Sequence, residues 1–219
     1  MISRVHLIIM CGLILVGLAI GAGFYPALPN PAPMHWNWRG EVDGYGPPWV
    51  AAFLMPLVGI GITLLLCGLP LLGPFRQNFA RIGATYGRIG VLLIATFVAL
   101  HVVVLLESTG RGVGIGNAIA LVLGVLFACL GNWMGKIRRN FYLGIRTPWT
   151  LANDLVWERT HRVGGRVFVA VGLATIVCAL LGPQWLCAVV LLGGAVGAAV
   201  WAFVYSAVLY RRLGAVEHL

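Results

Sequence analysis

Long apolar stretches alternate with short polar connections along almost the whole chain. The apolar runs fall at approximately 5–25, 49–73, 89–106, 113–135, 164–182 and 185–207. Each is long enough, or nearly so, to supply the roughly 20 helical residues that cross a hydrocarbon core of about 30 Å. None shows the alternating pattern of a barrel strand, and a backbone in lipid must satisfy its own hydrogen bonds, so all six are expected as helices. The expected fold class is all-α, a polytopic integral membrane protein with about six transmembrane helices. The first run has Arg4 ahead of it and small residues near Gly21 to Gly23, as a cleaved signal peptide would. Its length favours a retained helix.

Composition strengthens this reading. Of 219 residues, 60% are hydrophobic and only 10% charged, and the mean hydropathy of +0.95 lies far outside the range of soluble domains. Charge then sets the orientation, because positive residues concentrate in cytoplasmic connections. With the N-terminus inside, Arg4, Arg76, Arg81, Arg88, the basic residues from Lys136 to Arg166, and Arg211 with Arg212 are all inner. Only Arg39 and Arg111 fall outside. Both termini are therefore expected in the cytoplasm. Topology and anionic headgroups explain the net charge of +9, and nothing resembles a DNA-reading module, so no direct nucleic-acid partner is expected. Cys11, Cys67, Cys129, Cys178 and Cys187 all lie in apolar runs without a CxxC spacing, which suits packing better than ligation or crosslinking.

The second run contains Pro56 and Pro70, which predict a kink, and a polar basic linker, GPFRQNFARIGATYGR, follows it. The linker divides the chain into a leading helix pair with its outer loop, 1–75, and a four-helix region, 76–219, that carries a polar inner segment at 140–165. Gly17 with Gly21 and Gly193 with Gly197 have GxxxG spacing, which suits close helix contact within the chain or a homodimer.

Two polar segments carry the candidate chemistry. The outer loop, PALPNPAPMHWNWRGEVDGYGPPW, is rich in prolines and glycines and is expected as an ordered, turn-rich excursion. It holds His35, Asn37, Glu41 and Asp43, and the third helix brings His101 and Glu107 toward the same surface. Together these would form an external site for a polar or cationic ligand, or for a divalent metal such as zinc. His101 stands out because an ionisable group inside a membrane helix usually faces a partner or a cavity. The plainer alternative is an aromatic belt of Trp36, Trp38, Tyr45 and Trp49 among solvated charges, with His101 bonded to a neighbouring helix. A membrane hydrolase would use His35, Asp43, His101 and Glu107 around a metal. No HExxH, serine elbow or paired-carboxylate signature supports it. A transporter would show intramembrane polar pathways and internal repeats, and neither is evident.

The inner segment reads NFYLGIRTPWTLANDLVWERTHRVGG. Thr147 before Pro148 is a good helix start. Trp149, Asn153, Val156, Trp157, Thr160, His161 and Gly164 recur at spacings of three and four, along one side of a helix expected to lie on the inner surface before the chain turns into the membrane. Arginines snorkelling to phosphates would explain part of it, but not so many hydrogen-bonding groups. Arg146, Thr147, Trp149, Asn153, Trp157, Thr160, His161 and Arg162 are the expected cytoplasmic functional surface.

The string GIRTPWTLANDLVWERTHRVGG closely resembles the signature of the SdpI family, membrane immunity proteins that protect certain bacteria from a secreted cannibalism toxin. The outer loop resembles a domain of unknown function often found ahead of it, with the Pro-x-His-Trp-Asn-x-x-Gly-x-x-Asp-x-Tyr pattern at Pro33, His35, Trp36, Asn37, Gly40, Asp43 and Tyr45. Where that domain often has a lysine after the tyrosine, this chain has Gly46, Pro47 and Pro48. The resemblance implies a multi-pass protein of the bacterial inner membrane that confers resistance to a hydrophobic peptide toxin. It also implies a signalling receptor that holds a cytoplasmic transcriptional repressor at the membrane when toxin is present.

Overall fold

A computed structural model describes residues 2–72, 76–140 and 142–216. The order is α1 (Arg4–Phe24), a 3-10 turn (Tyr25–Ala27), β1 (Ala32–Trp36), β2 (Val42–Gly46), α2 (Pro48–Leu72), α3 (Arg76–Ser108), α4 (Ile115–Met134), α5 (Pro148–Ala152), α6 (Asp154–Leu181) and α7 (Gln184–Val216). Among the described residues, six helices are long and apolar enough to cross a membrane. This is a multi-pass membrane protein.

Three elements differ from their expected form. The outer loop is an antiparallel hairpin, with Ala32 opposite Gly46 and Trp36 opposite Val42, so the helical fold carries a small sheet. The basic linker after α2 is helical from Arg76 onward, while the division at residue 75 lies outside the described residues. The fifth span begins at Asp154 rather than near 164 and runs unbroken to Leu181. There is no separate surface helix from Thr147 to Gly164: α5 stops after Ala152, and Asn153, in extended conformation, starts α6.

Core packing explains how the helices associate. Met10 and Ile14 of α1 are buried against Ile94 of α3. The hairpin is anchored by Ala32, which packs with Ala51 and Ala52 of α2 and Leu105 of α3. Lipid offers helices no hydrophobic reason to associate, so small residues decide where backbones meet. The Gly17 and Gly21 pair serves this within the chain: a methyl on Gly17 would lie 3.3 Å from Pro56, and one on Gly21 would strike the Ala52 carbonyl. Gly193 and Gly197 have open space around them instead.

A second close approach has glycines spaced seven apart rather than four. On α4, a methyl on Gly131 would lie 2.5 Å from the Gly165 carbonyl oxygen, and one on Gly124 would lie 2.9 Å from that of Gly172. On α6, methyls on Gly165 and Gly172 would lie 2.6 Å from the carbonyls of Gly131 and Gly124. Four glycines in two reciprocal pairs therefore set the α4–α6 distance.

Candidate functional site

The chain has two polar ends, a hairpin end and a basic end. The basic end is built around the junction of α5 and α6. Thr147 caps α5 by accepting from the Thr150 amide at 3.2 Å, and the Thr150 hydroxyl accepts from the Thr147 amide at 2.9 Å. Thr147 also meets Ser206 of α7, hydroxyl to hydroxyl at 2.9 Å. Asn153 then caps α6, its side-chain oxygen accepting from the amides of Leu155 and Val156 at 2.9 and 3.1 Å. Two caps in tandem explain why the backbone breaks at Asn153 and restarts at once.

Beneath that junction lies a buried core. Trp157 is 1% exposed, donates its indole N–H to the Ile137 carbonyl at 2.7 Å, and packs with Ile89 and Ile137. The His161 ring stacks on it at 4.0 Å between centroids. The preceding loop is folded by Asn140, which is buried. Its oxygen accepts from the amides of Tyr142 and Leu143 at 2.8 and 2.7 Å, and its amide donates to the Arg138 carbonyl at 2.8 Å. Gly144, at φ +109°, then passes against the His161 ring, where a side chain would collide.

The expected inner surface is therefore divided. Thr147, Trp157, Thr160 and His161 are buried, Trp149 and Asn153 are half-buried, and Arg146 and Arg162 are exposed. The expectation that all eight lie on a surface is corrected: the helix dives into the bundle at Asp154, so its polar side is an interior. Trp149 packs edge-on against Phe203 of α7, with centroids 4.9 Å apart. Sequence reasoning overlooked Asn140, Thr150 and Ser206, which single out no chemistry until the fold brings them together.

At the hairpin end, Asn37 closes the loop between the strands. Its side-chain oxygen accepts from the amides of Arg39 and Glu41 at 2.8 and 3.1 Å, and its amide donates to the Glu41 carboxylate at 2.8 Å. Gly40 supplies the φ of +81° that this tight loop needs. His35 Nδ1 and the Asp43 carboxylate meet at 2.5 Å across the strands, and Gly44 must be small because a methyl there would lie 2.8 Å from His35 Cβ. The Ser108 hydroxyl donates to the Pro33 carbonyl at 2.7 Å, and Gln184 at the start of α7 donates to the Trp38 carbonyl at 3.0 Å. The hairpin is thus fastened to both α3 and α7.

The expected convergence of His35, Glu41, Asp43, His101 and Glu107 is not what the fold produces. His101 is fully buried beside Gly21 on α1, and among the described residues neither of its ring nitrogens has a hydrogen-bond partner. Glu107 accepts from the Val113 amide at 3.0 Å and closes the α3–α4 turn. Among the described residues no group of three or more His, Cys, Asp or Glu side chains is placed to hold a metal ion. Next to the hairpin, an open groove of about 190 Å³ lies between α4 and α7, lined by Trp38, Ile119, Ala120, Gln184, Ala188 and Leu191 among others.

Residues 136–206 match the model of the SdpI/YfhL protein family. This part of the chain is similar to the proteins of that family. Residues 12–60 match a domain of unknown function (DUF1648). The chain is also 26% identical over 182 residues to the Immunity protein SdpI of Bacillus subtilis (strain 168), a similarity that covers 83% of each chain. No solved structure matches. The stretch that matches the SdpI/YfhL model runs from just after α4 to Ser206, and so takes in the tandem caps, the Trp157–His161 stack and the Thr147–Ser206 contact that closes it. The other matched region takes in α1 from residue 12 onward, the hairpin and the first half of α2.

Proposed function

We propose that this is a membrane immunity protein of a bacterial inner membrane, protecting its cell from a hydrophobic peptide toxin. The similarity to an immunity protein over most of both chains supports the class of function. The groove between α4 and α7 carries the finer reading: its walls are mostly apolar, it lies between two helices long and apolar enough to span a membrane, and its polar groups come from Asn37 and Gln184. An apolar toxin segment entering from the outer leaflet meets this groove beside the hairpin. The concentration of arginines at the other end supports an orientation with both termini cytoplasmic. The polar linker after α2 supports a division into a leading helix pair with its outer loop, 1–75, and a four-helix part, 76–219, which holds most of the groove.

In this reading the basic end is the output. Toxin in the groove shifts α7 against α4, and Ser206 passes the shift to Thr147 and α5. The exposure of Trp149, Arg146 and Arg162 to a cytoplasmic transcriptional repressor changes as a result.

The test is complementation of a Bacillus subtilis strain lacking its own SdpI, grown with toxin-producing siblings. The native chain should restore survival, and Ala188→Trp, which fills the groove, should abolish it at an unchanged membrane level. Full protection by the filled variant would remove the groove from the mechanism. Failure of the native chain itself would remove the immunity reading.

A further inference from the structure

The cations at the basic end are of two kinds. Arg138 and Arg139 are engaged with carboxylates, at 2.6 Å from Glu158 and 2.9 Å from Asp154. Lys136, Arg162 and Arg166 are exposed and, among the described residues, belong to no ion pair. All three line clefts between the end of α4 and the first turns of α6.

One cleft, of about 540 Å³, is polar and is formed by Lys136, Ile137, Arg138, Glu158 and Arg162 around Gly135. The other, of about 440 Å³, has Arg162 and Arg166 at one part and Val169, Ala170 and Leu173 at another, over the bare backbone of Gly131 and Gly165. Gly135 and Arg162 line both, so the polar cleft opens into the apolar one. The order along α6 runs from cation to hydrocarbon: Arg162, Arg166, Val169, Ala170, Leu173. At 1.5 Å per residue this covers about 16 Å of helix. A phosphate followed by an acyl chain has the same polarity and a comparable reach.

We propose that this composite cleft binds one anionic glycerophospholipid, with its phosphate held by Lys136, Arg162 and Arg166 and an acyl chain laid along Val169, Ala170 and Leu173. Guanidinium groups bind phosphate oxygens in pairs and tolerate partial burial, which suits them to this position. A net-negative headgroup is selected because the ammonium of a zwitterionic one meets three unpaired cations and a single carboxylate that Arg138 already holds. Basic pockets between membrane helices are a recognised setting for such lipids. Diffuse attraction to a charged membrane would not need the groove. Arg211 and Arg212, exposed at the same end on α7 but outside both clefts, provide the comparison.

The full-length protein, purified in detergent, is offered equal amounts of phosphatidylglycerol and phosphatidylcholine with identical acyl chains, and retained lipid is counted by native mass spectrometry. A single phosphatidylglycerol adduct favoured about tenfold over phosphatidylcholine is expected. The preference should disappear in Arg162→Gln/Arg166→Gln and persist in Arg211→Gln/Arg212→Gln. Ala170→Trp, which obstructs the acyl groove and leaves every cation in place, should lose the adduct as well. It decides the matter if the double arginine variant loses its helical spectrum. Equal retention of the two lipids, or equal losses in the two arginine pairs, would overturn the proposal. Displacement of the lipid by millimolar glycerol 3-phosphate would assign the cations to a free phosphate instead, and would overturn it too.

Discussion

His161 Nε2 accepts the backbone N–H of Ile145 at 2.9 Å while its Nδ1 donates to the Trp157 carbonyl at 2.9 Å. Only the neutral tautomer with its proton on Nδ1 makes both bonds, because an amide N–H cannot accept and a carbonyl cannot donate. The ring therefore pins the loop ahead of α5 to the first turns of α6. His161→Ala leaves the Ile145 amide unpaired and a void beside Trp157, a loss of about 3 kcal/mol. The variant should insert normally but unfold earlier in detergent, and its 142–153 segment should be cut faster by protease. His161→Gln, which offers a new acceptor, should recover part of the difference. An alanine variant as stable and protease-resistant as the native protein would show that the ring pins nothing.

Asn153 carries a separate consequence. Its side chain satisfies two amides at the start of α6, so Asn153→Ala should cost about 1 kcal/mol. The effect is local, with faster hydrogen exchange at Leu155 and Val156. Asn153→Asp retains the acceptor and places negative charge at a helix start, so its exchange should match the native protein. If alanine leaves exchange at those two amides unchanged, the tandem-cap account of the α5–α6 break is wrong.

These residues also show what a sequence reveals and what it conceals. The six spans are legible because burial in lipid demands long apolar runs, and the side of the helix holding Val156, Trp157, Thr160, His161 and Gly164 is legible from its spacing. What that side faces is not. Polar groups there suggest a surface, whereas hydrogen bonds to Ile145 and the Ile137 carbonyl make them an interior. The start of α6 is hidden for a related reason: hydropathy falls where charged residues begin, but the helix continues through Glu158 and Arg162 from the cap at Asn153. In the hairpin, Asn37 and Asp43 read as potential ligands in sequence. In the fold, Asn37 closes the loop and Asp43 pairs with His35 across the strands.

The glycine seam between α4 and α6 makes a sharp contrast with the open glycines of α7. A methyl at Gly131 meets backbone on the opposite helix at 2.5 and 2.7 Å, which no rotamer change relieves. Gly131→Ala should force the helices apart and lower stability by roughly 1–3 kcal/mol, as overpacking does. Gly197→Ala, with nothing within 4 Å of the added carbon, should be neutral or slightly stabilising because alanine favours the helix. Thermal unfolding in one detergent measures both. Equal melting temperatures for the two variants would mean that α4 and α6 do not meet as closely as this seam requires.

The hairpin loop yields to a more direct probe, because it presents a single trypsin target. Arg39 is exposed and lies over the Trp38 ring at 4.8 Å, within a loop that the Asn37 side chain closes through three hydrogen bonds. Asn37→Ala removes all three and leaves the backbone bonds between Asn37, Gly40 and Glu41 and the Gln184 bond to the Trp38 carbonyl. Opening should become easier by about 1.5 kcal/mol, hence cleavage after Arg39 about tenfold faster. Asn37→Asp should be intermediate, since it still accepts from the Arg39 and Glu41 amides but sets its charge against the Glu41 carboxylate. Gly40→Ala should act in the same direction for a different reason, combining an unfavourable φ with a contact of 2.9 Å to the Gln184 side chain. Fragment masses from a trypsin time course resolve the three variants. If the alanine variant at position 37 is cut no faster than the native chain, the side-chain bonds of Asn37 do not hold this loop, and the hairpin's order rests instead on its fastening at Ser108 and Gln184.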